Sequence, residues 1–165
     1  MSSMSELKNS IDAWMDEFRS TLDAWEAWLA RAEEAYVTGE FTILLEIEPA
    51  GDLIRIQMVD AHQKRDEIIG RAYQLGFSGI SMTALVRWLG ADASPTWLRQ
   101  LEDLGLQLKR TNQFSTSLWL TGFQAKAYTT SILELISTGS PKRATYGGTD
   151  SHSELAGGRL MDAAA

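Results

Sequence analysis

The chain has 165 residues, room for one domain, and carries 15 Lys and Arg against 22 Asp and Glu, a net charge of −7. That balance is a poor match to nucleic acid or an anionic membrane surface, and suits a basic or apolar partner. With no cysteine, disulfides, thiolate chemistry and cysteine-based zinc sites are excluded, while a reducing compartment is permitted.

The N-terminal MSSMSELKNS has no apolar signal core, and no run approaches the ~18 apolar residues of a membrane span. A cytoplasmic location without a membrane span is therefore expected. Residues 1–5 are expected to fray. Leu7, Ile11, Trp14, Phe18, Leu22, Trp25, Leu29, Ala32 and Tyr36 then recur in steps of three and four, which predicts a helix with a wide apolar face. Trp14 and Trp25 lie on this stripe and Trp28 beside it, as core anchors or as an exposed grip for a partner.

Thr38-Gly39-Glu40 reads as a turn. The next stretch, FTILLEIE-PAGD-LIRIQMV, alternates well enough for a β-hairpin with a four-residue loop. However, Leu44, Ile47, Gly51, Ile54, Met58, Ala61, Arg65, Ile68, Ala72 and Leu75 keep one heptad register throughout, and a hairpin has no reason to do so. The periodicity favours a helix from about Glu40 to Leu75, bent or interrupted at Pro49, with the hairpin over residues 41–59 as the other reading. Arg65 falls on the seam, where it either snorkels or pairs with a carboxylate of a neighbouring helix.

Gly76-Phe77-Ser78-Gly79 ends this helix, and Ser81 can cap a short one from Met82 to Leu89, closed by Gly90. Ser94-Pro95 opens a last helix running to about Thr138. Its stripe is Trp97, Leu101, Leu104, Leu108, Thr111, Ser115, Leu118, Gly122, Ala125, Thr129, Ile132 and Ile136, apolar at both ends and polar or small in the middle. Such a helix is roughly 65 Å long. The fold class that follows is all-α: an elongated antiparallel bundle of three long helices and one short helix over residues 1–140. Residues 141–165, rich in Gly and Ser without sustained period, read as a mobile tail able to bind a partner.

No catalytic or cofactor chemistry assembles from these residues. His62 and Asp66 share a helix face but lack the further ligands a metal needs. Asp150, Ser151 and His152 are neighbours in a tail, without the rigid frame a triad requires. Glu-x-x-His pairs of di-iron bundles are missing, and Gly147-Gly148 and Gly157-Gly158 do not follow strands. Glu33, Glu34 and Asp103 read as a solvated face. The expectation is a non-enzyme with no cofactor and no metal.

Four features together resemble the FlgN-like flagellar export chaperones. They are the first helix with its Leu and Trp repeats, and the run AHQKRDEIIGRAYQLGFSGISMTALVRWLG, with a basic patch, an Ile pair, a Gly-containing turn and a short helix. The third is Arg110, Asn112 and Gln113, at the place of the family's Asn-rich patch. The fourth is the ending Thr145-Tyr146-Gly147-Gly148 followed by Gly157-Gly158-Arg159-Leu160-Met161-Asp162-Ala163. Pro49-Ala50-Gly51, the number of tryptophans, and Phe114, Ser115 and Thr116 depart from the family pattern. The resemblance implies a cytoplasmic chaperone for flagellar type III export. Such a protein binds the C-terminal helical segments of hook–filament junction (hook-associated) proteins, keeps them unassembled and delivers them to the export apparatus. It further implies a partner-binding site at Tyr128, Ile132, Leu135 and Ile136 of the last helix and Tyr146, Leu155, Leu160 and Met161 of the tail. The other reading is a structural coiled-coil adaptor that homodimerises through the same heptads.

Overall fold

The computed structural model describes residues 2–138, all of them helical or in short connections. Helix α1 spans Ser2–Thr38, α2 Thr42–Gln74, α3 Met82–Leu89 and α4 Trp97–Thr138, with a 3-10 turn at Gly90–Asp92 between the last two. Three long helices and one short one were expected, and are found. The first begins at Ser2, within the stretch expected to fray.

The described residues divide into two units, with the boundary between Ala125 and Lys126. In the first, the predicted stripes become the core. Leu7, Ile11, Trp14, Phe18, Leu22, Leu29 and Ala32 of α1 are buried, as are Ile47, Ile54, Ala61, Ile68 and Ala72 of α2. These residues recur every three or four positions, so each helix turns one strip inward and is held by apolar burial.

Side-chain contacts fix the directions. Trp14 Nε1 donates to the Ala61 carbonyl and Trp28 Nε1 to the Ile47 carbonyl, both at 2.8 Å, so α1 and α2 are antiparallel. Lys64 bridges them at 2.7 Å to Glu17 and also meets Asp60 at 2.8 Å. Hydrogen bonds to Asp60 and then Glu17 hold its ammonium well above the usual lysine range. Trp97 Nε1 donates to Asp12 Oδ1 at 2.6 Å, Gln107 Nε2 to Asp23 Oδ1 at 2.7 Å, and the Thr111 hydroxyl lies 3.0 Å from Glu26 Oε1. These pairs are 85, 84 and 85 positions apart, so α4 runs parallel to α1 in constant register. The long helices are thus up, down and up.

The polar middle of the α4 stripe has a physical account. Thr111 is buried and satisfied, its hydroxyl also 2.9 Å from its own helix's Gln107 carbonyl. At Gly122 the missing side chain leaves room for Tyr36, whose Oη would lie 2.7 Å from a Cβ there.

The region around Pro49 is helix without interruption, and the hairpin reading is excluded. Proline has no N–H to give the carbonyl four residues back. Beside it, Trp28 docks on the backbone of α2 and donates to Ile47. Gly51 makes that approach possible, because a Cβ there would lie 2.9 Å from Trp28 Cε2. All three helix-1 tryptophans therefore serve packing: Trp14 is buried, Trp25 packs against the core and Trp28 seats on α2. Arg65 is half-buried and pairs with Asp66 of its own helix at 2.9 Å, not with a carboxylate of a neighbouring helix.

The bundle's other end is closed by α3. Ser81 Oγ accepts from Ala84 N at 3.1 Å, which is the expected cap, and Gly90 ends the helix at φ 54°. Met82, Leu85, Val86 and Leu89 are buried with Phe77 and Trp97. Helix α4 starts two residues later than Pro95, at Trp97. The Ser94 hydroxyl meets the Thr96 hydroxyl at 3.0 Å rather than a helix N–H, because the turn at Pro95 and Thr96 stands between them.

Candidate functional site

The register between α1 and α4 decides which part of α4 is covered. Tyr36 over Gly122 continues the offset set by Asp12 and Trp97, and α1 ends two residues later at Thr38. Along the predicted stripe, Trp97, Leu104 and Thr111 are buried and Ser115, Leu118 and Gly122 half-buried, whereas Ala125, Thr129, Ile132 and Ile136 are exposed. The same heptad pattern thus does two things: its first two-thirds build the core, and its end is left to solvent.

In the second unit, α4 continues to Thr138. Of the expected site residues, Tyr128 is 71 % exposed, Ile132 41 %, Leu135 49 % and Ile136 75 %. At 100° per residue these four fall within a third of the helix circumference, and Leu133 lies about 60° outside it. The strip is one to which a second amphipathic helix can pack. Hydroxyls of Thr130, Ser131 and Ser137 turn back on carbonyls of their own helix, at Lys126, Ala127 and Glu134. The remaining expected site residues, Tyr146, Leu155, Leu160 and Met161, lie outside the described residues, as do Asp150, Ser151 and His152. Arg110 and Gln113 are exposed and Asn112 is half-buried, its carbonyl accepting from Thr116.

A cleft of about 170 Å³ is lined by Glu33, Tyr36, Val37, Phe114, Ser117, Leu118 and Thr121. It is smaller than the few hundred Å³ typical of a ligand site. Among the described residues, no three His, Cys, Asp or Glu side chains cluster to hold a metal ion. Asp66 Oδ1 accepts two hydrogen bonds from Arg65, and Asp66 acts on His62 through its charge. Burial and then the Arg65 charge push the His62 pKa down, against a smaller upward pull from Asp66. No helix among the described residues is long and apolar enough to cross a membrane.

Two exposed apolar features escaped the heptad reading. Trp119 and Phe123 stack at 5.5 Å on the outer side of α4, with Leu120 beside them. On α2, Leu45, Leu53, Ile56 and Val59 are exposed. The signal for the second was the apolar excess of residues 43–59, which reads as strand alternation but is two stripes on one helix.

Compared with known proteins, the chain matches no protein-family model, no curated protein and no solved structure.

Proposed function

We propose that the chain is a non-catalytic binding protein of the cytoplasm, a chaperone for flagellar type III export. The exposed end of α4 grips the C-terminal helical segment of a hook–filament junction protein, keeps it from assembling and delivers it to the export apparatus. The observation that carries the reading is the strip Tyr128, Ile132, Leu135 and Ile136, heptad-spaced like the core yet exposed. A subunit waiting for export exposes an amphipathic helix, and such a helix is recognised by laying its apolar face on a complementary strip. The resemblance of residues 61–90 and of the ending at 145–163 supplies the identity of the partner, and Tyr146, Leu155, Leu160 and Met161 extend the grip.

The adaptor reading would use the same heptads between chains. Against it, Leu7, Ile11, Leu22, Ile54, Ile68 and Leu104 are already buried within one chain. Light scattering tests the proposal. A junction-protein C-terminal segment that self-associates alone should run as a one-to-one complex when this protein is added. Unchanged self-association in the presence of the folded protein would refute it.

A further inference from the structure

Helix α2 carries a second apolar stripe that the bundle does not use. At 100° per residue, Leu45, Leu53, Ile56 and Val59 gather on the side diametrically opposite Ile47, Ile54 and Ala61. The inner three are buried, whereas Leu45 is 72 % and Ile56 57 % exposed. A helix apolar on both faces is ordinarily covered on both. The stripe covers about 21 Å from Leu45 to Val59, a usual length for helix-in-groove or helix-on-helix recognition.

The charges around it say what fits. Glu48 borders one side and Glu46 the other, while Asp52 and Asp60 fall within the stripe, between its apolar residues. Arg55, the one nearby cation on this stretch, is spent in part on Asp52 at 3.7 Å, and Asp60 meets Lys64. Glu46 and Glu48 form no ion pair among the described residues. We infer that the outer face of α2 docks an amphipathic helix of another protein whose apolar strip is bordered by Lys or Arg. Opposite charge along both borders sets register and orientation and speeds encounter. A second copy of this chain fits poorly, because a two-fold axis lays the same patch on itself and sets acidic borders against acidic borders. This site is separate from the α4 strip and does not depend on the identity of the α4 partner.

The test uses the full chain and two labelled helical peptides of about 20 residues, each with Leu at heptad positions a and d, one with Lys and one with Glu at e and g. Fluorescence anisotropy should show saturable binding of the Lys peptide and at least about tenfold weaker binding of the Glu peptide. The double substitution Leu53→Ser/Ile56→Ser leaves the charge unchanged and should weaken Lys-peptide binding by at least about tenfold. Ile132→Asp should leave it as in the wild type. Leu45→Ser/Val59→Ser provides an independent pair, and circular dichroism confirms that each variant is folded. Equal binding of the Lys peptide to wild type and to both double variants would overturn the proposal. So would a wild-type dimer in sedimentation that the Leu53/Ile56 variant converts to monomer, since the face would then belong to a second copy.

Discussion

Replacing Gly51 with alanine separates two opposing effects in a single methyl group. In a helix interior alanine is favoured over glycine by roughly 1 kcal/mol, because glycine loses more backbone freedom on folding. Gly70 lies in the same helix, and a Cβ there meets nothing within 4 Å. Gly70→Ala should therefore stabilise the protein by about 0.5–1 kcal/mol. At Gly51 the added Cβ would lie 2.9 Å from Trp28 Cε2 and 3.0 Å from its Nε1. The indole has to move, and its 2.8 Å bond to the Ile47 carbonyl stretches or breaks. Losing that bond costs about 0.5–1.5 kcal/mol and overpacking a further 1–3 kcal/mol. After the propensity gain, Gly51→Ala should destabilise by about 0.5–3.5 kcal/mol, a fall in Tm of roughly 1–14 °C. Urea and thermal unfolding followed by circular dichroism measure both variants. In a Trp28→Ala background the clash is gone, and Gly51→Ala should turn stabilising. A Gly51→Ala variant as stable as Gly70→Ala, with Trp28 intact, would refute the proposed seat of the indole.

Three further expectations follow from burial and charge. Leu22 is fully enclosed, so Leu22→Ala should cost about 2–5 kcal/mol in chemical denaturation. Ile132→Asp, on the exposed strip, should leave stability within about 0.5 kcal/mol of wild type while abolishing partner binding. A large loss of Tm in that variant would place Ile132 in a core instead. His62 has its pKa lowered by burial and by Arg65, so the unfolded chain binds the proton more readily than the folded one. Its contribution is present above the unfolded pKa of about 6.5 and is lost as pH falls through the folded value. Tm should therefore decline on acidification from about pH 7 towards pH 5.5, and His62→Gln should flatten that decline. A wild-type slope retained in full by the variant would assign it to other groups.

Much of the fold was legible because long helices advertise themselves. Leu7 to Tyr36, Leu44 to Leu75 and Trp97 to Gly122 follow one period, and the residues on it are buried or half-buried. Turn chemistry was equally local: Ser81 and Gly90 frame α3 as expected. What the pattern could not show were contacts made across helices. Pro49 and Gly51 look like breakers until Trp28 is seen lying against Gly51 and donating to the Ile47 carbonyl. Arg65 on the seam suggested a partner on another helix, yet the nearest carboxylate was its neighbour Asp66. The heptad series also runs through Gly122 without a mark, so it could not tell core from exposed strip. The end of α1 at Thr38 makes that distinction, and it depends on the register between α1 and α4. The outer stripe of α2 was hidden for a related reason, since two apolar faces on one helix mimic the alternation of a strand.

The central claim is that the exposed end of α4 binds a junction-protein helix. Calorimetric titration of the full-length protein with the C-terminal segment of such a protein tests it most directly, repeated on a chain ending at Gly139. The account predicts saturable one-to-one binding, reduced when Tyr146, Leu155, Leu160 and Met161 are removed with the tail. No binding heat across several temperatures, with both proteins folded by circular dichroism, would contradict it.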